Sequence, residues 1–384
     1  MILPDYENSI VNLMSSISNA YNKKHPYKKL KILDNYQLKK SKNIILLVID
    51  GLGYEFLKNN FKESFLNKNT ISKITSVFPS TTASAITTFK TALPPNQTAI
   101  TGWFMNLKEL GSVCAILPFT PRFGLIPIDL FNYNIKNIID TKSFFSKINC
   151  NKYIISETNI NNSAYNNYFK NNAKLVNYNT LNGMFMQIKK TINKDKNKKY
   201  IYAYWSLFDS LSHHFGNNSK DVKKHFLALD KKIKSFTNSI KNTNTTLIIT
   251  ADHGFIDTNK NKVIWLEDYP KIKECLTMPL CGEPRVIYCY VKSNKTKEFE
   301  KLVKNKLNKF CNIYKSSDLI KKNYFGLFKK NEKLIDRIGD YTLIMKENYI
   351  LKDKLLDEKK GFEIGNHGGI SKEEMYVPLF VKNC

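Results

Sequence analysis

The stretch Asn43-Ile44-Ile45-Leu46-Leu47-Val48-Ile49-Asp50-Gly51 indicates the fold class most directly. Its apolar residues run without alternation, as is typical of a strand that is buried on both faces of a parallel sheet. Two later stretches, Lys199–Trp205 and Thr246–Thr250, have the same character. The sequence therefore predicts an α/β fold, a three-layer α/β/α core with a mostly parallel central sheet.

Each of these strands is followed closely by an acidic residue. Asp50 comes directly after the first strand, Asp209 a few residues after the second, and Asp252 shortly after the third. Ligands of open α/β sheets bind beyond the carboxyl ends of the strands, so we expect three carboxylates in one crevice. This convergence predicts a functional site at that edge of the sheet.

The remaining segments complete the predicted architecture. Apolar residues at helical spacing over Ile10–Tyr21 predict an amphipathic helix packed on the core. The character changes over 258–362, where Arg285–Val291 has the pattern of a strand and Glu298–Phe310 that of a lysine-rich helix, and Tyr376–Val381 is predicted as a last strand. The predicted domains are a catalytic core over 1–257, an inserted α+β cap over 258–362, and a return to the core over 363–384.

Histidines occur near these carboxylates at spacings suited to metal binding. Asp209 and His213 are four residues apart where a helix should follow the strand, so their side chains project from the same face. Asp252 and His253 are adjacent in a tight Asp-His-Gly turn, and His367 lies in a glycine-rich loop. Mixed Asp and His ligands suit zinc, with manganese or another divalent metal as the alternative.

Each of these motifs alone is common by chance. His214 competes with His213 for the ligand position, and a lone histidine after a strand is more often a core or capping group. His25 and His225 are surrounded by lysines and are expected to face solvent. Spacing alone leaves these alternatives open.

A candidate nucleophile lies in Ser76-Val77-Phe78-Pro79-Ser80-Thr81-Thr82-Ala83-Ser84-Ala85, a turn followed by a predicted helix. A helix amino terminus stabilises anions through its free N–H groups and its dipole. A threonine there could meet both a metal ion and a phosphoryl group. The alternative is that Ser80, Thr81 and Thr82 are helix caps, and this interpretation is the stronger for the segment taken alone.

The composition favours a globular enzyme over a nucleic-acid-binding or membrane protein. The chain has 384 residues and a formal net charge of +27, which would attract phosphate polyanions. Its lysines are, however, spread along the chain, so we expect no dedicated nucleic-acid binding but a small anionic phosphorylated substrate. No apolar run reaches the ~20 residues that span a bilayer, so no membrane partner is expected. The oligomeric state is left open.

The cysteines and the amino terminus bear on localisation. The chain has seven cysteines and no Cys-x-x-Cys pair, which argues against a disulfide framework or a structural zinc site. The amino terminus carries acidic residues and no apolar stretch of signal-peptide length. Both features predict a cytoplasmic protein with reduced cysteines.

Taken in chain order, these motifs resemble the metal and nucleophile series of the alkaline phosphatase superfamily, most closely its type I phosphodiesterase/nucleotide pyrophosphatase branch. The resemblance extends from Asn43 to His367. It implies two divalent metal ions, for which the ligand types favour Zn²⁺, with Mn²⁺ as the alternative. The implied ligands of one ion are Asp209, His213 and His367, and those of the other are Asp50, Thr82, Asp252 and His253.

The resemblance also implies the nucleophile. Counting back from Thr91, which matches a threonine further along the family's helix, selects Thr82, with Thr81 as the alternative. The family's asparagine that often binds a phosphoryl oxygen has no match near Trp103, and Asn106 is the candidate for that role. Charge stabilisation by the metal ions and backbone N–H groups is the alternative to an asparagine.

The activity implied by the resemblance is hydrolysis of a phosphodiester or a nucleotide pyrophosphate through a covalent phosphothreonine. A phosphomonoesterase or a phosphonate hydrolase of the phosphonoacetate type could use the same centre. A more remote alternative from another class is a basic, non-catalytic protein that binds nucleic acid, which would show salt-dependent affinity for polynucleotide without turnover.

Overall fold

The computed structural model describes residues 1–131, 133–356 and 358–384. These residues form two seven-stranded sheets and two two-stranded sheets. The strands are β1 (Asn43–Ile49), β2 (Thr70–Thr75), β3 (Phe104–Leu107), β4 (Ser112–Ala115), β5 (Thr120–Pro121), β6 (Asn151–Glu157), β7 (Lys174–Tyr178), β8 (Lys199–Trp205), β9 (Thr245–Thr250), β10 (Ile256–Asp257), β11 (Val263–Trp265), β12 (Cys281–Glu283), β13 (Val286–Cys289), β14 (Cys311–Lys315), β15 (Tyr341–Met345), β16 (Ile350–Lys352), β17 (Gly365–Asn366) and β18 (Tyr376–Asn383).

Helices of very different lengths connect these strands. The α-helices are α1 (Ile10–Ala20), α2 (Asn35–Lys40), α3 (Tyr54–Asn60), α4 (Phe65–Lys68), α5 (Thr82–Thr91), α6 (Pro95–Thr98), α7 (Phe144–Lys147), α8 (Thr158–Asn161), α9 (Ala164–Lys170), α10 (Leu181–Asn193), α11 (Leu207–Phe215), α12 (Lys220–Ser239), α13 (Pro270–Glu274), α14 (Thr296–Lys306), α15 (Ser316–Lys321) and α16 (Lys372–Met375). No helix in the described part of the chain is both long and apolar enough to cross a membrane.

The core sheet has the strand order β2-β18-β9-β1-β8-β6-β7. The pairs from β9 through β1, β8 and β6 to β7 are all parallel, whereas β18 is antiparallel to both β9 and β2. All seven residues of β1 are buried, as its unbroken apolar run predicts. The predicted bounds of β1 and β8 are confirmed, and β9 begins one residue earlier than predicted.

Helices cover both faces of the core sheet, which confirms the three-layer α/β/α prediction. On one face Tyr200 of β8 packs edge-on against Tyr21, next to α1, and against Phe144 of α7. On the other face Trp205 stacks on His225 of α12 at a centroid distance of 5.8 Å. Successive residues of a strand point to opposite faces, so a single strand anchors both layers.

The second sheet is antiparallel throughout, with the order β14-β15-β13-β12-β3-β4-β5. Its strands β12 to β15 come from the predicted cap segment 258–362, but β3, β4 and β5 come from residues 104–121, which are predicted to belong to the core. These strands have at most four residues each, too few for a periodic pattern to be recognised. The second sheet is therefore built from two separate segments of the chain.

The chain directions explain why distant segments meet at one edge. The carboxyl ends of β1, β2, β8 and β9 lie together because these strands run the same way in the sheet. Since β18 runs in the opposite direction, the segment before it, which contains His367, arrives at that same edge. Every residue predicted as a metal ligand or as the nucleophile follows or precedes a strand at this edge.

Candidate active site

Asp50 and Asp252 are the two fully buried carboxylates of the site. Asp50, just after β1, accepts a short hydrogen bond at Oδ2 from the hydroxyl of Tyr204. Asp252, just after β9, accepts N–H bonds at Oδ1 from Gly51 and His253, both at 3.0 Å. These bonds hold one oxygen of each carboxylate and leave the other oxygen directed into the site.

Asp209 and His213 lie one helical turn apart on α11, as predicted, and His367 approaches them from the loop before β18. Nε2 of His213 is 3.5 Å from Oδ1 of Asp209 and 3.1 Å from Nε2 of His367. Nδ1 of His213 lies 2.9 Å from the carbonyl oxygen of Gly365. A ring N–H donated to that carbonyl leaves Nε2 without a proton, so the nitrogen facing the site offers a lone pair.

His253 lies between these two groups. Its Nε2 is 3.4 Å from Oδ1 of Asp50 and 3.4 Å from Oδ2 of Asp252. Its ring stacks on that of His367 with the centroids 3.7 Å apart. Nδ1 of His253 is 3.1 Å from the carbonyl oxygen of Gly254, an arrangement that again leaves Nε2 free to act as a ligand.

The donor atoms fit divalent cations. Ligand atoms of Asp50, Asp252 and His253 lie within 4.8 Å of one another, as do those of Asp209, His253 and His367. Oδ1 of Asp50, Oδ1 of Asp209 and Oδ2 of Asp252 are buried and have no hydrogen-bond partner among the described residues. Such orphaned carboxylate oxygens are costly unless a cation neutralises them, so this donor set suits metal ions.

The carboxylates also repel one another. Burial raises the pKa of Asp50 well above its usual range, and the nearby carboxylates of Asp209 and Asp252 raise it further. Burial likewise raises the pKa of Asp209. Burial lowers the pKa of His367, and repulsion from His253 and His213 adds to this effect. Both directions describe a site that favours neutral side chains in the absence of positive ions.

Thr82, the first residue of α5, lies beside this group of Asp and His side chains. Its Oγ1 is 3.1 Å from Nε2 of His253. The first amide groups of a helix have no carbonyl partner within the helix, so a helix start is suited to stabilise an anion. The position combines a nucleophilic oxygen with a local field that stabilises anions.

Thr81 has a different environment from its neighbour. It is the N-cap residue of α5, its side chain makes no capping bond, and its hydroxyl donates to Oε1 of Glu283. The same oxygen accepts the N–H of Trp103 at 2.7 Å. Burial raises the pKa of Glu283 to about 7. The hydroxyl of Thr81 is therefore engaged by Glu283, whereas the hydroxyl of Thr82 remains next to the Asp and His side chains of the site.

A buried ion pair supports the loop that carries His367. Arg285 donates to both carboxylate oxygens of Glu374, at 3.1 and 2.9 Å, and Oε1 of Glu374 accepts the N–H of Gly369 at 2.8 Å. Arg285 also donates to the carbonyl oxygen of Tyr349 at 2.6 Å. This contact ties the second sheet to the loop of His367.

Two clefts open on either side of Thr82, and both are also lined by Trp103 and Asp209. The cleft of about 680 Å³ lies toward the second sheet and includes His213, His367 and Glu283 in its wall. The other, of about 360 Å³, lies between α5 and the segment after β6 and is lined mainly by apolar surface. A group bound at Thr82 thus has room for substituents on two sides.

The structure separates the sequence candidates. His214 is exposed, whereas its rival His213 meets Asp209 and His367. Asn106 lies in β3 and lines a different pocket, beside Lys108, so it does not meet Thr82.

The expectation that His25 and His225 face solvent is wrong. Nε2 of His25 lies 2.6 Å from the carbonyl oxygen of Ala92, and Nε2 of His225 accepts the indole N–H of Trp205 at 3.0 Å. Neighbouring lysines in the sequence lie on other helix faces or on loops, so they do not indicate where a ring points.

Tyr204 and Glu283 were missed as site residues. Tyr204 is one of the residues of β8 whose side chains alternate between the two faces of the sheet. Glu283 lies in the segment Cys281-Gly282-Glu283-Pro284-Arg285, which is distant in sequence from every other site residue. Gly282 before it has a φ of 88°, and the carbonyl oxygen of Val286 would lie 2.3 Å from an added Cβ. A glycine at this position indicates a tight turn of the backbone, but it does not predict the contact between Glu283 and Thr81.

Comparisons with known proteins agree with this geometry. The model of the family "Type I phosphodiesterase / nucleotide pyrophosphatase" matches residues 44–370. Murine ectonucleotide pyrophosphatase/phosphodiesterase 5 has a similar structure with a TM-score of 0.66, at 17% identity over 88% of this chain and 87% of that chain. An inactive threonine-to-alanine variant of the murine protein, in complex with AMP, gives the same values.

The human ectonucleotide pyrophosphatase/phosphodiesterase 5 structure has a TM-score of 0.65 at 16% identity, again covering 88% of this chain and 87% of that chain. No curated protein matches the chain in sequence. The family match spans most of the chain, and the family is metal-dependent, in agreement with the buried Asp and His cluster. The chain therefore belongs to the type I phosphodiesterase/nucleotide pyrophosphatase family of the alkaline phosphatase superfamily, and it is a hydrolase that acts on phosphate esters.

Proposed function

We propose that the protein hydrolyses a small phosphodiester or nucleotide pyrophosphate, with Thr82 as the nucleophile. The observation that carries this proposal is the position of Thr82 Oγ1, 3.1 Å from Nε2 of His253 and at the start of α5. A hydroxyl placed there adjoins three carboxylates, each of which has one buried oxygen without a hydrogen-bond partner among the described residues.

The proposed metal ligands follow from the same contacts. Asp209, His213 and His367 would hold one divalent ion, and Asp50, Thr82, Asp252 and His253 the other. The mixture of imidazole nitrogens and carboxylate oxygens favours Zn²⁺, with Mn²⁺ as the alternative. When bound, such ions supply Lewis-acid stabilisation of the charge on the reacting oxygens.

The chain's own residues would carry out two displacements. In the first, Oγ1 of Thr82 loses its proton and forms a bond to phosphorus while the bond from phosphorus to the leaving oxygen breaks; the leaving oxygen takes up a proton and departs as an alcohol or a phosphate. In the second, a water oxygen bonds to the same phosphorus and the bond to Thr82 breaks, so that the threonine regains its hydroxyl proton. The N-terminal amides of α5 lie where they can donate to phosphoryl oxygens in both steps.

Two clefts beside Thr82 favour a diester or an anhydride over a monoester. A phosphorus centre with two substituents can place one group in each cleft, whereas a monoester has a single group to bind. The AMP complex of the murine structure supports a nucleotide-type product. With two clefts and a net charge of +27, a small anionic phosphorylated substrate is our proposal for the binding partner.

We also propose that the protein works in the cytoplasm. All seven cysteines are free thiols, and five of them are buried. Reduced buried cysteines agree with a reducing compartment.

The test is hydrolysis of a nitrophenyl phosphodiester, a nitrophenyl monoester and a nucleotide anhydride in parallel. Each is measured with protein as purified, after chelation, and after re-addition of Zn²⁺ or Mn²⁺. We expect the diester or the anhydride to be cleaved fastest, and this activity to disappear on chelation and return with metal. Faster cleavage of the monoester, full activity after chelation, or no turnover of any substrate would each refute the proposal.

A further inference from the structure

The smaller cleft beside Thr82 contains a buried lysine. This cleft has a volume of about 360 Å³, and its walls include Ile86, Leu117 and Tyr165. Lys90, from the last turn of α5, is 2% exposed and lines the same cleft. Lysines are almost never fully buried unless they are paired, so this one requires an explanation.

The ammonium group of Lys90 has no counter-charge. Nζ lies 4.5 Å from the ring centroid of Tyr202 and 5.7 Å from that of Phe145. In the described part of the chain it makes no hydrogen bond and no ion pair. Burial accordingly lowers the pKa of Lys90 to about 7. Aromatic faces stabilise a cation only partly, so a charged Lys90 still lacks an anionic partner.

Three other polar side chains of the cleft are already engaged, while the hydroxyl of Tyr202 is buried and has no hydrogen-bond partner among the described residues. Ser156 donates to Oδ1 of Asn161 at 2.6 Å. Ser163 and Asn166 donate to the carbonyl oxygen of Ile160, at 2.9 and 2.6 Å. These bonds shape the wall of the cleft, whereas the ammonium of Lys90 is a donor left over for a ligand.

Acidic groups are confined to the Thr82 end of this cleft. The carboxylates that line it are Asp50 and Asp209, which belong to the proposed metal centre. Lys90 follows Thr82 by eight residues of α5, a rise of ~12 Å, and long side chains on a helix lean back toward its amino terminus. The lysine therefore lies within reach of a substituent on a phosphorus atom held at Thr82.

We infer that the smaller cleft binds a substituent of the substrate that ends in an oxyanion, a carboxylate or a second phosphate, and that Lys90 is its specificity-determining partner. The inference rests on the proposed function, since it places the reacting phosphorus at Thr82. A bound oxyanion supplies the negative charge that Lys90 lacks among the described residues. A charge-assisted hydrogen bond inside an apolar cleft is also stronger than one in water. A neutral substituent would leave the ammonium unpaired, so it is discriminated against.

Three nitrophenyl phosphodiesters that differ only in the second substituent test this inference. The substituents are propyl, carboxyethyl and phosphoethyl, so the last two distinguish a carboxylate from a phosphate. We expect wild-type kcat/KM to be ~10- to 100-fold higher for at least one of the acidic esters than for the propyl ester, the range of one charged hydrogen bond.

The decisive variant is Lys90→Met, which keeps a similar volume and removes the charge. It should abolish the preference for the acidic ester and leave propyl ester hydrolysis within ~3-fold of wild type. Lys189→Met, which removes an exposed lysine of α10 that makes no hydrogen bond in the described part of the chain, is the control and should retain the preference. Lys90→Gln keeps a donor and checks that any loss is one of charge.

The outcomes separate the inference from the proposed function. Propyl ester turnover without any acidic preference in the wild type, or an equal loss on all three esters in Lys90→Met, refutes the role of Lys90 and leaves the hydrolase proposal intact. Calorimetric titration with propyl phosphate and with the phosphate monoester of the preferred acidic substituent, carboxyethyl phosphate or phosphoethyl phosphate, provides a readout without turnover. If wild type and Lys90→Met bind these two probes with the same affinity ratio, the inference is also refuted.

Discussion

The hydroxyl of Thr81 donates to the carboxylate of Glu283, whereas the hydroxyl of Thr82 lies 3.1 Å from Nε2 of His253. Two adjacent threonines at the start of one helix thus have separate environments. Because the side chain of Thr81 is engaged by a carboxylate from the second sheet, it cannot contact the proposed metal ligands at the same time. This difference singles out Thr82 in a way that the sequence pattern does not.

Adjacent histidines provide the first prediction. His213→Ala removes a ring that contacts Asp209 and His367, so the purified variant should lose about one metal ion per chain and most of its activity. His214→Ala changes an exposed neighbour and should keep both. Elemental analysis beside the diester assay measures this difference. Equal metal content in the two variants would remove His213 from the ligand set.

Asp50 should affect stability with opposite sign in the presence and absence of metal. In the metal-free protein the raised pKa of Asp50 means that its ionisation destabilises the fold, a cost that is absent at pH values below 3.8 and grows as pH rises. Asp50→Asn should therefore raise Tm at pH 8 without metal, and the gain should shrink toward pH 4. With Zn²⁺ the variant should instead be less stable than wild type.

Differential scanning calorimetry of the two proteins, with chelator or with Zn²⁺, measures this reversal. A variant that is destabilised to the same extent in both conditions would show that Asp50 is a structural carboxylate and not a metal ligand.

Because of Lys90, the free energy of unfolding of the wild-type protein should increase as the pH rises above neutral. Its pKa is about 7 in the folded protein against 10.5 for an ordinary lysine, so the unfolded chain binds the proton more strongly between these values. The free energy of unfolding then rises with pH across that window, at up to ~1.4 kcal/mol per pH unit. Lys90→Met should be more stable than wild type at pH 7, with a difference that shrinks toward pH 10.

Urea unfolding at pH 7 and at pH 10 is the measurement for this prediction. A Lys90→Met protein that is less stable than wild type at pH 7 would mean that an acceptor in the folded chain already neutralises this lysine.

The ion pair between Arg285 and Glu374 should be necessary for both stability and activity. Both side chains are at most 1% exposed, so Arg285→Ala leaves a buried carboxylate without its partner and should cost roughly 3–5 kcal/mol of unfolding free energy. Burial alone would raise the pKa of Glu374, but Arg285 lowers it below its usual value. Activity assays of the folded fraction at increasing metal concentrations should show weaker metal binding, since Glu374 holds the loop that contains His367.

An exposed pair serves as the control. Lys28 and Glu7 are 70% and 58% exposed, so Lys28→Ala should change the unfolding free energy by less than ~1 kcal/mol. Similar losses for Arg285→Ala and Lys28→Ala would contradict the structural role of the buried pair.

Much of the core could be predicted because its signals are local. The unbroken apolar runs of β1 and β8 fix strands whose two faces are both buried, and an acidic residue follows each strand at the sheet edge. The i, i+4 pair of Asp209 and His213 is likewise a local feature, since both side chains leave one face of α11.

The remaining features depend on contacts between distant segments. Strands β3 and β4 have four residues each and gain their stability from pairing with strands of the second sheet, so their own pattern is too short to recognise. The contact of Glu283 with Thr81 joins positions about two hundred residues apart and has no periodic signature. The burial of Lys90 could not be predicted either, because a lysine in a helix is ordinarily expected to be exposed.

The position of the covalent intermediate tests the central claim most directly. The protein is mixed with excess nitrophenyl diester, quenched in acid within the first turnovers, and the peptide that contains Thr81 and Thr82 is sequenced by mass spectrometry. Our account predicts a phosphoryl ester on Thr82 in wild type and in Thr81→Val, and none in Thr82→Ala, whose turnover should fall by ~10³-fold or more. An adduct on Thr81, or near-normal turnover by Thr82→Ala, would contradict it.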